Sequence, residues 1–390
     1  MKKIAVVTAT RAEYGLLAPL IKQLRVYETA TFTTELIVTG THLSASYGNT
    51  IQEILADNIR IDHIIKISVE SESELDISRN QADALIKFTE LFLHEKYKAV
   101  ILLGDRYETL SIAIAAGNTR IPIFHLCGGD TTEGAIDEWI RHSITKISYL
   151  HFPTNNKSRD RIIQLGEAPE RIFNYGSTSI DNIINQAVLS KKEALNSIGL
   201  IECRYAVCTY HPVTLEDAQT DELMQQFLSA IANFPDIEFI VTKSNADQGG
   251  ARINNLLDMA EKKINNLHVF YSLGVTCYLS LMRYAEFVLG NSSSGIIEAP
   301  AFKIPTIDIG NRQRGRLRCE SIINCNSDTE SIVAAINTVN TTEFRNTCNT
   351  VVSAYGDGHA AKQIAEKVIE TIMNTDIDLK KKFYDIGVNK

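Results

Sequence analysis

Short apolar runs alternate with segments of helical period along most of this 390-residue chain. IAVVTAT precedes a helix-like segment from Ala12 to Tyr27, and TELIVTG precedes another around residues 50–58. AVILLGD, which ends at Asp105, and PIFHLCGGD, which ends at Asp130, are largely apolar until their last residues. Strands that alternate with helices predict parallel βαβ units, and strands without polar alternation predict a sheet covered on both faces.

The same pattern begins again in the second half of the chain. Five further strand-like runs each precede a turn or a helix start: YAVCTYHP, IEFIVTKSN, HVFYS, FVLGNSSSG and IPTIDIG. A chain of this length exceeds what one hydrophobic core usually serves. We therefore predict an α/β protein with two Rossmann-like domains and a cleft between them. The predicted domains are residues 1–175 and 176–372, with a linker near residues 174–179, and residues 373–390 are expected to pack back on the first domain.

Composition and charge exclude several classes of protein. The net charge of -8, without a basic stripe that alternates with aromatic residues, argues against a nucleic-acid partner. The first apolar run is interrupted at Thr8, Thr10 and Arg11, too early for a signal peptide or a membrane span, which predicts a buried first strand. The seven cysteines form no CxxC pair and have no histidine at zinc spacing, which predicts free thiols in a reducing cytoplasm.

Polar motifs follow the predicted strands directly. In open parallel sheets, ligands bind beyond the carboxyl ends of the strands, where helix N-termini point their positive ends outward. FVLGNSSSGIIEAP places Ser292, Ser293 and Gly295 in such a turn, which favours phosphate binding, and Glu298 could bind a ribose diol one helical turn later. The alternatives are an ordinary turn with a serine N-cap and a solvated acid.

Cationic side chains lie near three other turns. Arg11 in TATRAEYG begins the first predicted helix and suits bidentate contact with a phosphate, although a surface arginine is the alternative. Arg312 opens a run of four arginines in seven residues, which indicates either a diphosphate clamp or a solvated basic loop. His211 in CTYHPVT is placed to face the cleft from the second domain, or it simply caps a turn.

Three acids follow strands or begin a helix in the first domain. They are Asp105 in GDRYE, Asp130 in HLCGGD and Asp137 in AIDEWIRHSITK, and GDRYE also supplies Arg106. Packing like charges together raises the pKa of at least one of them, which gives an acid beside a base for proton transfer. The same carboxylates could instead hold a divalent metal, and Asp137 could simply pair with Arg141 one helical turn later.

Seven motifs, read together, resemble the hydrolysing UDP-N-acetylglucosamine 2-epimerases of sialic acid biosynthesis. They are TATRAEYG, YGNT, GDRYE, HLCGGDTTEGAIDEWIRHSITK, HPVT, GNSSSGIIEAP and GNRQRGR. They occur in fixed order over nearly the whole chain, and RAEYG in place of RPEA is similar to the hydrolysing branch. The resemblance implies the glycosyltransferase-B architecture, a UDP-sugar substrate, no metal or other cofactor, and a homodimer or homotetramer.

The resemblance also implies a reaction and a set of site residues. The UDP-sugar would lose its C2 proton and UDP by anti elimination, and water would add to the resulting 2-acetamidoglucal with inversion at C2, giving N-acetylmannosamine and UDP. Asp105, Asp130 and Asp137 would transfer protons, and His211 would contact the departing diphosphate. The remaining substrate-binding candidates are Arg11, Arg106, Ser292, Ser293, Gly295, Glu298 and Arg312 toward UDP or sugar, Asn245 near the sugar, and Val275 near uracil.

One position departs from the family pattern. The family usually places glutamate after the paired glycines, and this chain has Asp130, which is one methylene shorter. A shorter carboxylate could accommodate a bulkier sugar, so UDP-2,4-diacetamido-2,4,6-trideoxyglucose, a precursor of legionaminic acid, is an alternative substrate. A UDP-sugar glycosyltransferase of the same architecture and a catalytically silent UDP-sugar sensor are alternatives from other classes.

Overall fold

The computed structural model describes residues 1–69, 73–132, 135–185, 189–212, 220–244 and 249–387. Strands and helices alternate in the first half of the chain, as the sequence predicts. The elements are β1 (Lys2–Thr8), α1 (Arg11–Val26), β2 (Phe32–Thr39), α2 (Ile51–Ala56), β3 (His63–Ile65), α3 (Glu74–Glu95), β4 (Ala99–Leu103), α4 (Tyr107–Asn118), β5 (Ile123–Leu126), α5 (Asp137–Ile147), β6 (Leu150–Phe152), α6 (Asn156–Gln164) and α7 (Thr178–Asn185).

The second half repeats the alternation and ends in three helices. Its elements are α8 (Lys191–Ser197), β7 (Tyr205–Thr209), α9 (Thr220–Ile231), β8 (Glu238–Thr242), α10 (Gly250–Glu261), β9 (Leu267–Phe270), α11 (Gly274–Tyr284), β10 (Phe287–Gly290), α12 (Ser293–Ile297), β11 (Thr306–Ile309), β12 (Ile322–Cys325), α13 (Thr329–Val339), α14 (Thr342–Thr350) and α15 (Ala360–Asn374). No helix in the described part of the chain is long and apolar enough to cross a membrane. All seven cysteines are free thiols, as predicted.

The chain forms two compact units. Unit 1 comprises residues 1–130, 137–182 and 355–390, and unit 2 comprises residues 131–136 and 183–354. The first boundary therefore lies inside α7 rather than at residue 175, and the chain returns to unit 1 at Tyr355 rather than at residue 373. The return comes early because α15 packs on α1 and contributes its apolar face to the core of unit 1. The α15 residues in that core are Ala360, Ala361, Ile364, Ala365, Val368 and Ile372.

Two of the crossings between the units, after residues 182 and 354, are flanked by segments that lie side by side in unit 1. The backbone N–H of Ser177 donates to the carbonyl of Tyr355 at 2.7 Å. The carboxylate of Asp181 accepts from the backbone N–H groups of Ala360 and Ala361 at 3.1 and 2.9 Å, at the start of α15. A carboxylate at a helix N-terminus satisfies amides that the helix leaves unpaired. The segment leaving unit 1 therefore anchors the segment that returns.

Both sheets have six parallel strands in the same relative order. The sheet of unit 1 runs β3-β2-β1-β4-β5-β6, and that of unit 2 runs β12-β11-β10-β7-β8-β9. Each sheet therefore reverses its winding direction between its first and fourth strands, which are β1 and β4 in one and β7 and β10 in the other. In doubly wound sheets, loops diverge at this switch point and leave room for a ligand at the carboxyl ends of the strands.

Candidate active site

The three predicted acids all lie in unit 1, at the carboxyl edge of its sheet or at the start of a helix. Asp105 follows β4, Asp130 follows β5, and Asp137 is the first residue of α5. The segments that carry them are linked by Arg141 on α5, a buried cation whose side chain is 1% exposed. Its Nε donates to the carboxylate of Asp105 at 2.7 Å, and its guanidinium makes a second, shorter bond to the same oxygen.

Arg141 also reaches two other groups of the cluster. One of its terminal nitrogens donates to the backbone carbonyl of Asp130 at 2.9 Å and to the carboxylate of Glu138 at 3.2 Å. Burial acts to lower the pKa of Arg141, but the charges of Asp105, Asp130 and Asp137 outweigh burial, and the pKa is raised. From the sequence, Arg141 was predicted only as a possible intrahelical partner of Asp137. In the structure it is the charge around which the acids are arranged.

Asp130 is buried and is held by its side chain as well as by its backbone. The hydroxyl of Ser158, in the first turn of α6, donates to its Oδ1 at 3.1 Å. The backbone carbonyl of the preceding residue, Gly129, accepts a bond from the side chain of Arg161, also on α6. Neither Ser158 nor Arg161 was predicted from the sequence, because a polar residue in a helical segment carries no signal of the loop that it meets in space.

A carboxyl group of the protein itself binds the turn after β1. Glu13 on α1 is buried, and its Oε2 accepts from the backbone N–H groups of Ala9 and Thr10 at 2.7 and 3.2 Å. Thr10 caps the helix in return, so the two residues form a capping box. Burial and the neighbouring Glu108 raise the pKa of Glu13 to about 8, although the two backbone bonds oppose the shift. These amides, which bind phosphate in many Rossmann folds, are therefore occupied by Glu13.

Two predicted arginines lie near this turn in unit 1. Arg11 is half-buried and begins α1. Arg106 precedes α4, and its Nε donates to Oε1 of the buried Glu108 at 2.7 Å. The predicted contact of either arginine with substrate stays a prediction.

His211 and Asn291 meet at the switch point of unit 2. His211 follows β7 and Asn291 follows β10, which are neighbouring strands, and both residues are buried. The N–H of His211 donates to the side-chain oxygen of Asn291 at 2.7 Å, and the Asn291 amide donates back to the carbonyl of His211 at 2.8 Å. The His211 ring is also fixed, because its Nδ1 lies 3.1 Å from the hydroxyl of Ser244.

Asn291 also joins the loop after β11. Its backbone carbonyl accepts from Arg312 at 3.2 Å and from the buried side-chain amide of Gln313 at 2.7 Å. Three loops of unit 2 therefore converge on one residue. Neither Asn291 nor Gln313 was predicted as a site residue from the sequence. The available signal was the position of Asn291, directly after an apolar strand and before the serine run.

The serine turn has structural roles that the sequence offered as alternatives. Ser292 is the N-cap of α12, because its hydroxyl accepts from the backbone N–H of Ser294 at 3.4 Å. A Cβ at Gly295 would lie 2.8 Å from Cγ2 of Thr306, so glycine is needed here for α12 to approach β11. Ser293, the first residue of α12, is half-buried. Contact of Ser292, Ser293 and Gly295 with a phosphate stays a prediction.

Three further predicted positions have different outcomes. Burial raises the pKa of the Glu298 carboxyl to about 7, with the hydroxyl of Ser294 acting against the shift. Val275 is half-buried in the first turn of α11, beyond the carboxyl end of β9. Asn245 lies outside the described residues.

A separate group of side chains has the composition of a metal site. Among the described residues, Glu35, His63 and Glu95 place one ligand atom each within 4.8 Å of one another. The ammonium of Lys3 lies 3.5 Å from Glu35 and contacts Glu95 more closely, so a cation of the protein already pairs with both carboxylates of this group. The prediction that the enzyme needs no metal stays a prediction.

The chain is thus an α/β protein of two Rossmann-like units, and each unit has polar groups at the switch point of its sheet. The family model of UDP-N-acetylglucosamine 2-epimerase matches residues 25–369. The chain belongs to the UDP-N-acetylglucosamine 2-epimerase family, which confirms the family inferred from the motifs.

Two curated relatives span almost the whole chain. "Polysialic acid biosynthesis protein P7" of Escherichia coli is 37% identical over 387 residues, covering 99% of this chain and 98% of the relative. "GDP/UDP-N,N'-diacetylbacillosamine 2-epimerase (hydrolyzing)" of Campylobacter jejuni is 36% identical and covers 99% of both chains.

A solved structure confirms the fold class. UDP-GlcNAc 2-epimerase from Neisseria meningitidis, crystallised with UDP-GlcNAc, superposes with a TM-score of 0.79 at 20% identity, covering 95% of this chain and all of that one. The predicted class, two Rossmann-like domains of the glycosyltransferase-B type, is therefore correct.

Proposed function

We propose that this protein is a hydrolysing UDP-N-acetylglucosamine 2-epimerase that releases N-acetylmannosamine and UDP for sialic acid biosynthesis. The observation that carries the proposal is the buried Arg141, which binds the carboxylate of Asp105 and the backbone of Asp130 at once. A reaction at C2 of a sugar needs carboxylates held in fixed positions, since a general base must lie within hydrogen-bonding distance of the proton that it removes.

The elimination breaks two bonds of the substrate. A base removes the C2 proton, the C1–O bond to the diphosphate breaks, and the electron pair forms the C1=C2 double bond of 2-acetamidoglucal. Water then adds its hydroxyl to C1 and a proton to the opposite face of C2. The acceptor of the first proton must be a carboxylate held in a fixed position, and we propose Asp105, which is bound by Arg141, for this role. Asp130 and Asp137 are the partners we propose for the remaining proton transfers.

UDP must leave because the C2 proton is only weakly acidic. The negative charge that develops on the diphosphate is stabilised by nearby cations and amide groups. We assign this role to unit 2, where Asn291 ties the loops of His211 and Arg312 together. Ser292, Ser293 and Glu298 complete the proposed nucleotide site, and we propose that Arg11 and Arg106 bind the same substrate.

The test is turnover of UDP-N-acetylglucosamine in deuterated water. The expected products are UDP and free N-acetylmannosamine with deuterium at C2. Asp105→Asn should abolish both, whereas Asp160→Asn, which alters an exposed aspartate of the same unit, should change neither. A UDP-linked epimer, or a free sugar without deuterium, would contradict the proposal. UDP release only when an acceptor is added would indicate the glycosyltransferase alternative, and binding without turnover would indicate the sensor.

UDP-2,4-diacetamido-2,4,6-trideoxyglucose is the second candidate substrate. Asp130 has a shorter side chain than the glutamate common in the family, and the Campylobacter jejuni relative is named for N,N'-diacetylbacillosamine, which is this sugar. Parallel assays with both UDP-sugars and with the GDP-linked form of the second decide the substrate, because kcat/KM ranks them directly.

Oligomeric state and cellular location belong to the same proposal. We propose a cytoplasmic homodimer or homotetramer. Light scattering of the purified full-length protein, with and without UDP, would give the mass of the assembly, and a mass of one chain in both conditions would contradict it.

A further inference from the structure

The carboxylate of Asp130 depends on a side chain of another element for its position. Ser158 is 1% exposed, and its hydroxyl donates to Oδ1 of Asp130 at 3.1 Å. Asp130 itself is 7% exposed. A buried hydroxyl that donates to a carboxylate makes a charge-assisted hydrogen bond, which is stronger and more directional than a bond between neutral groups.

The hydroxyl of Ser158 is not needed to cap its helix. The N-cap of α6 is Asn155, whose side-chain oxygen accepts from the backbone N–H of Ser158 at 2.9 Å. A serine in the first turn of a helix usually serves the backbone, but here a neighbour does so. The side chain of Ser158 is therefore directed to the loop that carries Asp130.

Gly129 allows the loop that carries Asp130 to pack closely against α6. Gly129 has a φ of +79°, and a Cβ at this position would lie 2.2 Å from the carbonyl oxygen of Ser158. Only glycine allows this approach. The close packing sets the distance between α6 and Asp130, and a side chain of aspartate length spans it.

Asp130 is consequently held at both ends. Arg141 binds its backbone carbonyl at 2.9 Å, and Ser158 binds its carboxylate. We propose that Ser158 is a positioning residue for Asp130, which fixes the shorter carboxylate for proton transfer. This inference rests on the proposed function, because it assigns Asp130 a part in the chemistry. It also implies that aspartate is required here: the longer side chain of glutamate would carry the carboxylate past Ser158.

The experiment is a double-mutant cycle between Ser158→Ala and Asp130→Asn in the full-length protein. Ser158→Ala should lower kcat about tenfold or more with little change in KM or in the dissociation constant of UDP. In the Asp130→Asn background, Ser158→Ala should have no further effect on kcat.

Two controls separate positioning from folding. Ser148→Ala removes another buried hydroxyl of unit 1, which donates only to the backbone of its own helix, and should leave kcat unchanged. Unfolding midpoints in urea should show that Ser158→Ala is folded at the assay temperature. Asp130→Glu should lose activity, and adding Ser158→Ala to it should cost nothing more.

The outcomes distinguish the two proposals. If the wild-type protein turns over a UDP-sugar but Ser158→Ala keeps its kcat, the positioning role is wrong and the proposed function stands. Equal losses from Ser158→Ala in the wild-type and Asp130→Asn backgrounds would also overturn it. If the wild-type protein releases no UDP from either sugar, the proposed function fails and this inference fails with it.

Discussion

His211 and Asn291 exchange two hydrogen bonds, of 2.7 and 2.8 Å, across neighbouring strand ends of unit 2. The side-chain amide of Asn291 satisfies both the backbone N–H and the backbone carbonyl of His211, so neither residue can move without breaking a buried bond. Asn291 extends the same arrangement to Arg312 and Gln313 through its carbonyl. The predicted nucleotide ligands of unit 2 are thereby positioned by a residue that is not itself one of them.

We expect Asn291→Ala to weaken UDP binding about tenfold to a hundredfold, since an unsatisfied buried polar group costs about 1–3 kcal/mol. Isothermal titration of the purified protein with UDP measures the change. Asn340→Ala is the matched control, because Asn340 is also an asparagine of unit 2 but donates only to the helix that it ends, at Ile336. Equal UDP affinity in Asn291→Ala and the wild type would contradict the role assigned to Asn291.

Arg141→Met should destabilise unit 1 by about 3–5 kcal/mol, because it leaves the carboxylate of Asp105 without its buried partner. The free energy of unfolding in urea measures this loss. Arg141→Lys keeps the charge but loses the guanidinium fork, so it should recover part of the stability and little of the turnover. Arg159→Met, on the exposed surface of α6, should change the free energy of unfolding by less than about 1 kcal/mol.

UDP affinity should fall as the pH is lowered from 8 to 6. Burial raises the pKa of Glu298 to about 7, so its carboxylate is mostly ionised at pH 8 and mostly protonated at pH 6. Only the ionised form accepts from both hydroxyls of a ribose diol. UDP itself gains protons over this range, so the quantity to compare is the ratio of wild-type to Glu298→Gln affinity, which should drop up to about tenfold. A ratio that is constant with pH would show that Glu298 does not bind the ribose.

Glu13 should make the protein less stable as the pH rises. The pKa of its carboxyl is about 8 in the folded state, against 4.5 ordinarily, so the folded chain binds an extra proton between these values. Stability therefore falls as the pH rises through that interval. Glu13→Gln cannot ionise, and its urea midpoint should gain on that of the wild type from pH 5 to pH 8. Parallel pH dependences of the two midpoints would contradict the raised pKa.

The long buried strands were predictable because their apolar runs are continuous. AVILL forms β4, and YAVCT forms β7, each bounded within a few residues of its predicted position. The short strands β3, β6 and β12 were not predicted, because three or four residues at a sheet edge carry too little periodicity. A return of the chain to the first domain was predicted, but from residue 373 instead of Tyr355, since the apolar pattern of a helix does not indicate which core its apolar face packs against.

The residues of the candidate site were likewise predictable from the sequence only in part. Asp105, Asp130 and His211 could be chosen as candidates because each follows an apolar strand, and the carboxyl edge of a sheet is where ligands bind. Ser158 contacts the strand-end loop of Asp130 in unit 1 from a helix, and Gln313 contacts that of Asn291 in unit 2 from another loop. Such contacts are set by tertiary packing, and the local residue pattern of a sequence does not indicate them.

The helix α15 has a consequence for how this chain is made. Because residues 355–390 complete unit 1, the ribosome finishes the first unit only after it has synthesised all of the second. The apolar face of α1 therefore stays uncovered by α15 while residues 183–354 are synthesised. Unit 2 is the part that can fold before synthesis ends. In the order of synthesis, the acid-bearing half of this protein is the last to be completed, although it is the first to begin.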